Sequence, residues 1–318
     1  MEKSYCENME KELAERIRLY AVKSGFAACG ITTAEDFPEY STALSGLIRE
    51  FPETEHLYEP MHKRARIRKR FPWARSIIVC IRRYGKYKIP VSVKGHIGRN
   101  YLFDCRIPEN PDHVMLKDFR EFLKASGMKV RKGGVPDRLA AQRAGVAAAG
   151  KNTFAYSGVC GSWMNIVTYL VDAKLEPDNP SKPTSPCPPD CRKCIEACPT
   201  GAIVRPYVMR MDRCIAYLTY GAPLPLDPEL EKKMTGWLYG CDICQEVCPL
   251  NASAWEEKER LPYLEKISGL LTPQALSVMD VQTYRDVVHP LFYYIPTEDI
   301  GRWHANARRV LSSMAAMP

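Results

Sequence analysis

The chain is 318 residues long, enough for one large domain or two to three small ones. With 46% hydrophobic and 26% charged residues it has the make-up of a folded protein with ample core material, and it carries no repeat or low-complexity tract. The net charge of +8 permits an anionic partner such as nucleic acid but is too diffuse to establish one. No apolar run approaches the length of a membrane span, and the opening Met1-Glu-Lys-Ser-Tyr-Cys6 is too polar for a secretory signal. The expected compartment is therefore the cytoplasm, where thiols stay reduced, and no membrane partner is expected.

From Asn8 to Ser24, Met9, Leu13, Ile17 and Tyr20 recur at helical spacing, and Gly25 predicts the stop. Phe26 to Ile31 reads as a short buried strand, and a helix is expected near Ala43 to Arg49. The basic run Lys63 to Arg70 allows contact with RNA phosphates, but a solvated helix face is the plainer reading. Ser76 to Ile81 is a continuous β-branched stretch and predicts a central strand. Val93 to Tyr101 is a glycine-marked polar loop of the kind that carries function. Leu116 to Ala125 predicts an amphipathic helix with Leu116, Phe119 and Leu123 inward and Gly127 as its stop.

Leu139 to Val146 is expected to be helical and rich in small residues, which permits close approach of a backbone or a flat ligand. Gly145-x4-Gly150-Lys151 has the spacing of a phosphate-binding loop. Asn152 stands where a magnesium-holding Ser or Thr belongs, however, and a helix replaces the required strand, so that reading is rejected. Met164 to Leu170 is an apolar strand or helix, and the proline-rich Pro177 to Pro189 reads as a linker. Beyond Pro249, short helices are expected at Leu270 to Tyr284 and Ile300 to Leu311, packing back on the core.

Eight of the thirteen cysteines lie between Cys187 and Pro249. Cys191-x2-Cys194-x3-Cys198-Pro199 and Cys241-x2-Cys244-x3-Cys248-Pro249 repeat the pattern by which a short peptide wraps a 4Fe–4S cube, with the cysteine before proline ligating the neighbouring cube. That crossover assigns Cys187, Cys191, Cys194 and Cys248 to one cluster, and Cys214, Cys241, Cys244 and Cys198 to the other. Zinc ribbons do not end in Cys-x3-Cys-Pro, and disulfides need an oxidising compartment. Cys187-x3-Cys191 is one residue longer than usual, with Pro188 and Pro189 inside it. Of the remaining cysteines, Cys29 and Cys80 fall in apolar strands and read as core, whereas Cys105 and Cys160 fall in loops where a redox or ligand role is conceivable.

Ala144-Gly145, Gly150-Lys151-Asn152-Thr153, Gly161-Ser162-Trp163, Cys198-Pro-Thr-Gly-Ala-Ile203, Arg213-Cys214-Ile-Ala-Tyr217 and Tyr239-Gly-Cys241-Asp-Ile-Cys244 together resemble the epoxyqueuosine reductases, cobalamin-dependent iron–sulfur enzymes similar to reductive dehalogenases. The resemblance runs from about Phe26 to the last helix. It implies an α/β (α+β) fold: a nitroreductase-like corrinoid-binding domain over 1–180, a two-cluster ferredoxin-like module over 181–255, and a helical tail over 256–318. It also implies base-off cobalamin beside the clusters, with Arg99, Ala144, Gly145, Gly150, Lys151, Asn152, Thr153, Gly161, Ser162 and Trp163 on the cofactor side. The sequence itself has no Asp-x-His-x-x-Gly loop to supply an axial histidine to cobalt.

The family's catalytic aspartate, counted back from Ala144-Gly145, falls on Arg131. Asp137 is near it, at a helix start where capping is the plainer role. Tyr101, Asp137 and Tyr156 are the candidate proton donors. His113 matches a family histidine, although a lone histidine is more often structural. The implied partners are a low-potential ferredoxin or flavodoxin and either tRNA or a corrinoid protein, with the chain acting as a monomer. Two other functions stay open: an electron carrier or corrinoid-handling protein without substrate chemistry, and a ferredoxin fused to a flavin-binding domain.

Overall fold

A computed structural model describes residues 2–178, 185–234 and 236–315. The boundary expected at 180/181 and the side chain of Cys6 lie outside the described residues. Two compact units emerge, each built from separated stretches of chain. The first takes the residues up to Tyr84 together with Val114–Cys191 and Pro206–Val208; the second takes Gly85–His113, Arg192–Arg205 and the chain from Met209 on. Residues 85–113 thus group with most of the cysteine-rich stretch and the tail, across the linear three-part division.

In the first unit, helix α1 (Glu2–Ser24) leads to strand β1 (Ala28–Thr33), and the long strand β2 (Ser76–Arg83) follows. The edge strand β3 is Val130–Lys132, β4 (Ala148–Ala149) and β5 (Ala155–Tyr156) form a small hairpin, and β6 is Met164–Val171. The main sheet has the order β1-β2-β6-β3 and is antiparallel throughout, so the α+β form of the expectation is the one realised. Strand β2 is central, as its unbroken β-branched run predicts, and residues 164–171 settle as strand because they pair along its whole length.

Gly25 ends α1 in the left-handed conformation at φ +111°. The buried stripe of α1 is Ala14, Ile17 and Ala21; Met9, expected on the apolar face, is 55% exposed. Leu116, Phe119 and Leu123 are buried as predicted, from the helix Pro111–Ala125. The Phe119 ring lies 5.4 Å from Tyr169 of β6 and 5.2 Å from Phe26. On the other face, Ile77, Val79, Ile81 and Leu170 pack with Ala140, Ala141, Ala144 and Phe71.

The helix Asp137–Arg143 stops short of the predicted Val146 because Gly145 turns left-handed at φ +69°. Its small residues do admit a close approach, and the partner is the backbone of β1. A Cβ on Gly30 would stand 2.3 Å from the carbonyl oxygen of Ala144. The basic run forms two short turns, Glu59–Ala65 and Ile67–Arg70. Ala65 and Ile67 are buried, Arg68 pairs with Glu35, and Lys63, Arg64, Arg66 and Lys69 are exposed, the solvated face that the charge pattern favours.

The second unit is built of single-turn helices, among them Arg99–Leu102, Lys193–Glu196, Ile215–Tyr220 and Ile243–Glu246, and it ends on the long helix Ile300–Ala315. That last helix supplies hydrogen bonds as well as apolar surface. Arg302 donates to the carbonyl of Ala222 at 2.7 Å, and Asn306 donates to those of Thr219 and Leu238 at 2.8 and 3.0 Å. Side chains of Thr272 and Asp280 cap new turns, which is why residues 270–284 form several short pieces. Among the described residues no helix is long and apolar enough to cross a membrane.

Candidate metal centre

Cys194 and Cys244, the second members of the two Cys-x2-Cys pairs, each lie in a single helical turn of the second unit, Lys193–Glu196 and Ile243–Glu246. Cys214 sits at the N-terminal cap of Ile215–Tyr220. Burial raises the Cys244 thiol well above its ordinary value, and the neighbouring thiols of Cys214, Cys198 and Cys194 push it further. Burial likewise raises Cys241, with Cys214 and Cys244 beside it. Cys244 is thus near Cys214, Cys198 and Cys194, and Cys241 is near Cys214 and Cys244. Among the described residues no three His, Cys, Asp or Glu side chains close on a single ion. Thiolates that hold a cube stand at the corners of a cluster instead of around one point.

Residues 97–101 are drawn against this loop by backbone contact. The amide of Gly98 donates to the carbonyl of Tyr239 at 2.7 Å, and a Cβ on Gly98 would meet the amide nitrogen of Cys241 at 3.0 Å. Asp242, buried within the Cys-x2-Cys turn, accepts from the amide of Arg99 at 2.8 Å. Burial pushes its carboxyl up to about 7 against the pull of Arg99. The Arg99 guanidinium pairs with Glu246 at 2.7 Å and lies 4.9 Å over the Trp255 ring. Arg99, expected on the corrinoid side, thus has its charge engaged at the second cluster loop.

Tyr101 belongs to a tyrosine cluster, 4.9 Å from Tyr239 and 5.9 Å from Tyr220 between ring centres. Burial holds its hydroxyl well above the ordinary value, with Tyr220, Tyr239 and Cys214 adding to the effect. A phenol so placed keeps its proton at neutral pH, which makes Tyr101 a reluctant acid.

In the first unit the Gly150-Lys151-Asn152-Thr153 turn faces the start of the cysteine-rich stretch. The amide of Lys151 donates to Cys187 Sγ at 3.3 Å, and its ammonium donates to the carbonyls of Pro188 and Cys191 at 2.8 and 3.0 Å and also to that of Pro189. Asn152 donates to the Tyr156 hydroxyl at 2.9 Å, behind Gly150, where a Cβ would stand 2.3 Å from the Tyr156 ring. Thr153 is left-handed at φ +67° and Gly161 at φ +55°. Ser157 and Gly161 exchange both backbone hydrogen bonds at 3.0 Å, and Ser162 and Trp163 are buried. Ala144 is core, and Gly145 is the turn that ends its helix.

Asp137 is half-buried and accepts from Thr168 Oγ1 at 2.7 Å. Burial raises its carboxyl, a shift that the Thr168 bond and the charges of Arg64, Arg138 and Lys132 moderate. Arg131 is exposed on β3, its guanidinium 4.9 Å over the Phe71 ring. Cys160, read as a loop thiol, is fully buried and packs with the apolar core. Cys29 and Cys80, read as core, stand opposite each other on β1 and β2 with Sγ atoms 3.7 Å apart. His113 is tied by Nδ1 to the carbonyl of Cys105 at 3.0 Å, a structural role.

Residues 187–251 match the family model of the 4Fe-4S double cluster binding domain. The chain is 30% identical over 275 residues to the epoxyqueuosine reductase of Cellulophaga algicola, covering 80% of this chain and 84% of that one. It is 30% identical over 256 residues to the epoxyqueuosine reductase of Bacillus subtilis, covering 76% of this chain and 64% of that one. The structure of the Bacillus subtilis enzyme with its catalytic aspartate loop swung out of the active site aligns with a TM-score of 0.79 at 26% identity, over 95% of this chain and 82% of that one. A crystal structure of epoxyqueuosine reductase with an epoxyqueuosine-modified tRNA stem loop aligns at 0.80 and 26% identity, over 95% and 81%.

Proposed function

Because the chain belongs to the epoxyqueuosine reductase family of oxidoreductases, we propose that it is a cobalamin-dependent iron–sulfur reductase acting on epoxyqueuosine in tRNA or on a related substrate. The observation that carries this reading is the match of residues 187–251 to the double-cluster domain, with Cys194, Cys198 and Cys214 near Cys244 in the second unit. Under it, Cys187, Cys191, Cys194 and Cys248 hold the other cube, and a low-potential ferredoxin or flavodoxin feeds electrons to the pair. A bound corrinoid supplies the strongly reducing cobalt nucleophile that the chain's own side chains lack.

A corrinoid would be held by the residues that the family resemblance implies, Ala144, Gly145, Gly150, Lys151, Asn152, Thr153, Gly161, Ser162 and Trp163. The chain's own contributions are then electron delivery through the cluster loops, which Lys151 and Arg99 hold, and a proton at Asp137. Burial keeps that carboxyl closer to neutral pH than an ordinary aspartate, as a general acid requires. The relative solved with a modified tRNA stem loop supports tRNA as the substrate class.

A second reading has its own observation. Arg131 occupies the position that counting assigns to the family's aspartate, and it lies exposed over Phe71. A chain without that acid suits an electron-transfer or corrinoid-reducing protein. Anaerobic reconstitution with iron, sulfide and cob(II)alamin, followed by EPR of the cobalt, tests the corrinoid. Mass spectrometry of epoxyqueuosine-containing tRNA after incubation with reductant then separates the readings. A base-off cobalt spectrum with conversion to queuosine supports the first, the same spectrum without conversion supports the second, and a spectrum identical to free cobalamin rejects the first and leaves an iron–sulfur electron carrier.

A further inference from the structure

Lys151 is 8% exposed, and among the described residues no carboxylate pairs with its ammonium. Its charge is spent on three carbonyls of one loop, those of Pro188, Pro189 and Cys191. This is the loop in which Cys187 and Cys191 are one residue farther apart than the usual pattern, and the prolines that lengthen it supply two of the three acceptors. The prolines bring no amide of their own to the loop, and apart from Lys151 the Pro188 carbonyl has the Cys191 amide at 3.2 Å. From the same residue, the backbone amide donates to Cys187 Sγ at 3.3 Å. The Gly150 amide bonds to the Phe154 carbonyl and the Tyr207 amide to the Lys151 carbonyl, so the backbone that presents this donor is pinned on both sides.

We propose that Lys151 is the positioning and tuning residue of the cluster that Cys187 and Cys191 hold: it closes the lengthened loop, and its buried charge raises that cluster's reduction potential above what the loop alone would give. The inference rests on the reading of these cysteines as cluster ligands. Reducing a 4Fe–4S cube adds one negative charge. A buried cation and an amide aimed at a ligand sulfur both stabilise the reduced form, and the effect is large where water is excluded. Without the ammonium the carbonyls of Pro189 and Cys191 would lose the donor that Lys151 supplies, and that of Pro188 would keep the Cys191 amide, which loosens the loop that sets the geometry of Cys187 and Cys191.

The test is an EPR-monitored redox titration of the full-length protein reconstituted with iron and sulfide alone, without corrinoid or substrate. Lys151→Met removes the charge and the three donors but keeps the stem, Lys151→Gln keeps one donor for a milder change, and Lys151→Arg keeps the charge. One of the two cluster signals is expected to move to lower potential in the Met and Gln variants while the other stays, with Lys151→Arg near the wild type. Selective loss of half the iron in Lys151→Met, restored by Lys151→Arg, supports the same role through the clamp. Both potentials unchanged in Met and Gln at full iron content overturn the inference. If Lys151→Met does not fold, the Gln variant decides on the same criteria. A wild-type protein that takes up no iron rejects the ligand reading itself, and the inference with it.

Discussion

The hydroxyl of Thr168, in the middle of β6, donates to the carboxyl of Asp137 at 2.7 Å and joins the central sheet to the first residue of the helix 137–143. This bond favours the ionised carboxylate, yet burial outweighs it and the pKa stays above the ordinary 3.8. Folding therefore binds a proton more tightly than the unfolded chain does. The resulting stabilisation is complete below the unfolded value and is lost as pH rises through the folded one.

Asp137→Asn removes the charge and keeps an acceptor for Thr168. Thermal midpoints should be equal to the wild type in acid and equal or higher at neutral pH. If Asp137 is the proton donor, turnover of epoxyqueuosine tRNA by the same variant falls about 100-fold or more. Full turnover in a folded Asp137→Asn protein would remove it from the mechanism.

Cys214→Ser should cost half of the bound iron and one of the two EPR signals, because Cys214 belongs to a single cube in the crossover assignment. Iron analysis beside Cys187→Ser checks this, with the complementary signal lost in the second variant. Loss of the same signal in both would break the assignment.

Arg99→Ala strips Asp242 of its nearest cation and Glu246 of its partner, leaving a buried carboxyl with the backbone amide of residue 99 and the Gln245 side chain as donors. Removing one partner of a buried charge pair costs about 3–5 kcal/mol. Chemical unfolding should show a loss toward that size, and Arg99→Lys should recover part of it, since it restores charge without the flat contact on Trp255.

Gly240→Ala meets two obstacles at once. Its φ is +73°, and the new methyl would stand 2.4 Å from the Tyr101 ring. Overpacking alone costs about 1–3 kcal/mol and the left-handed backbone about 1–2 kcal/mol more. The melting temperature should fall, and the adjacent Cys241 cluster should lose iron faster on dilution. An unchanged melting temperature would show that Tyr101 gives way freely.

What the sequence carries locally is what spacing can encode. The β-branched Ser76–Ile81 run, the stops at Gly25 and Gly127 and the doubled cysteine motif each state their structure within a dozen residues. Met9 misleads because helical spacing defines a stripe but not which edge of it meets the sheet. Lys151 and Arg99 were legible as motif members, yet their contacts were not. Lys151 reaches a loop 36 to 40 residues away, and Arg99 reaches Glu246 at a separation of 147. The importance of Thr168 was equally hidden, since a threonine in a strand carries no mark of the carboxyl it will face. Asp242 sat in plain view inside a Cys-x2-Cys turn, but its burial comes only with the approach of residues 97–101.

The hydrogen bonds from Arg302 and Asn306 to the carbonyls of Ala222, Thr219 and Leu238 set an order of events during synthesis. The helix that makes them is translated some 50 residues after the last cysteine, and a further stretch must clear the ribosome before it can dock. Until then the turns next to Cys214 and Cys241 lack these partners. A nascent chain that holds the cysteine motifs but not yet this helix presents those turns without the hydrogen bonds that the helix later supplies.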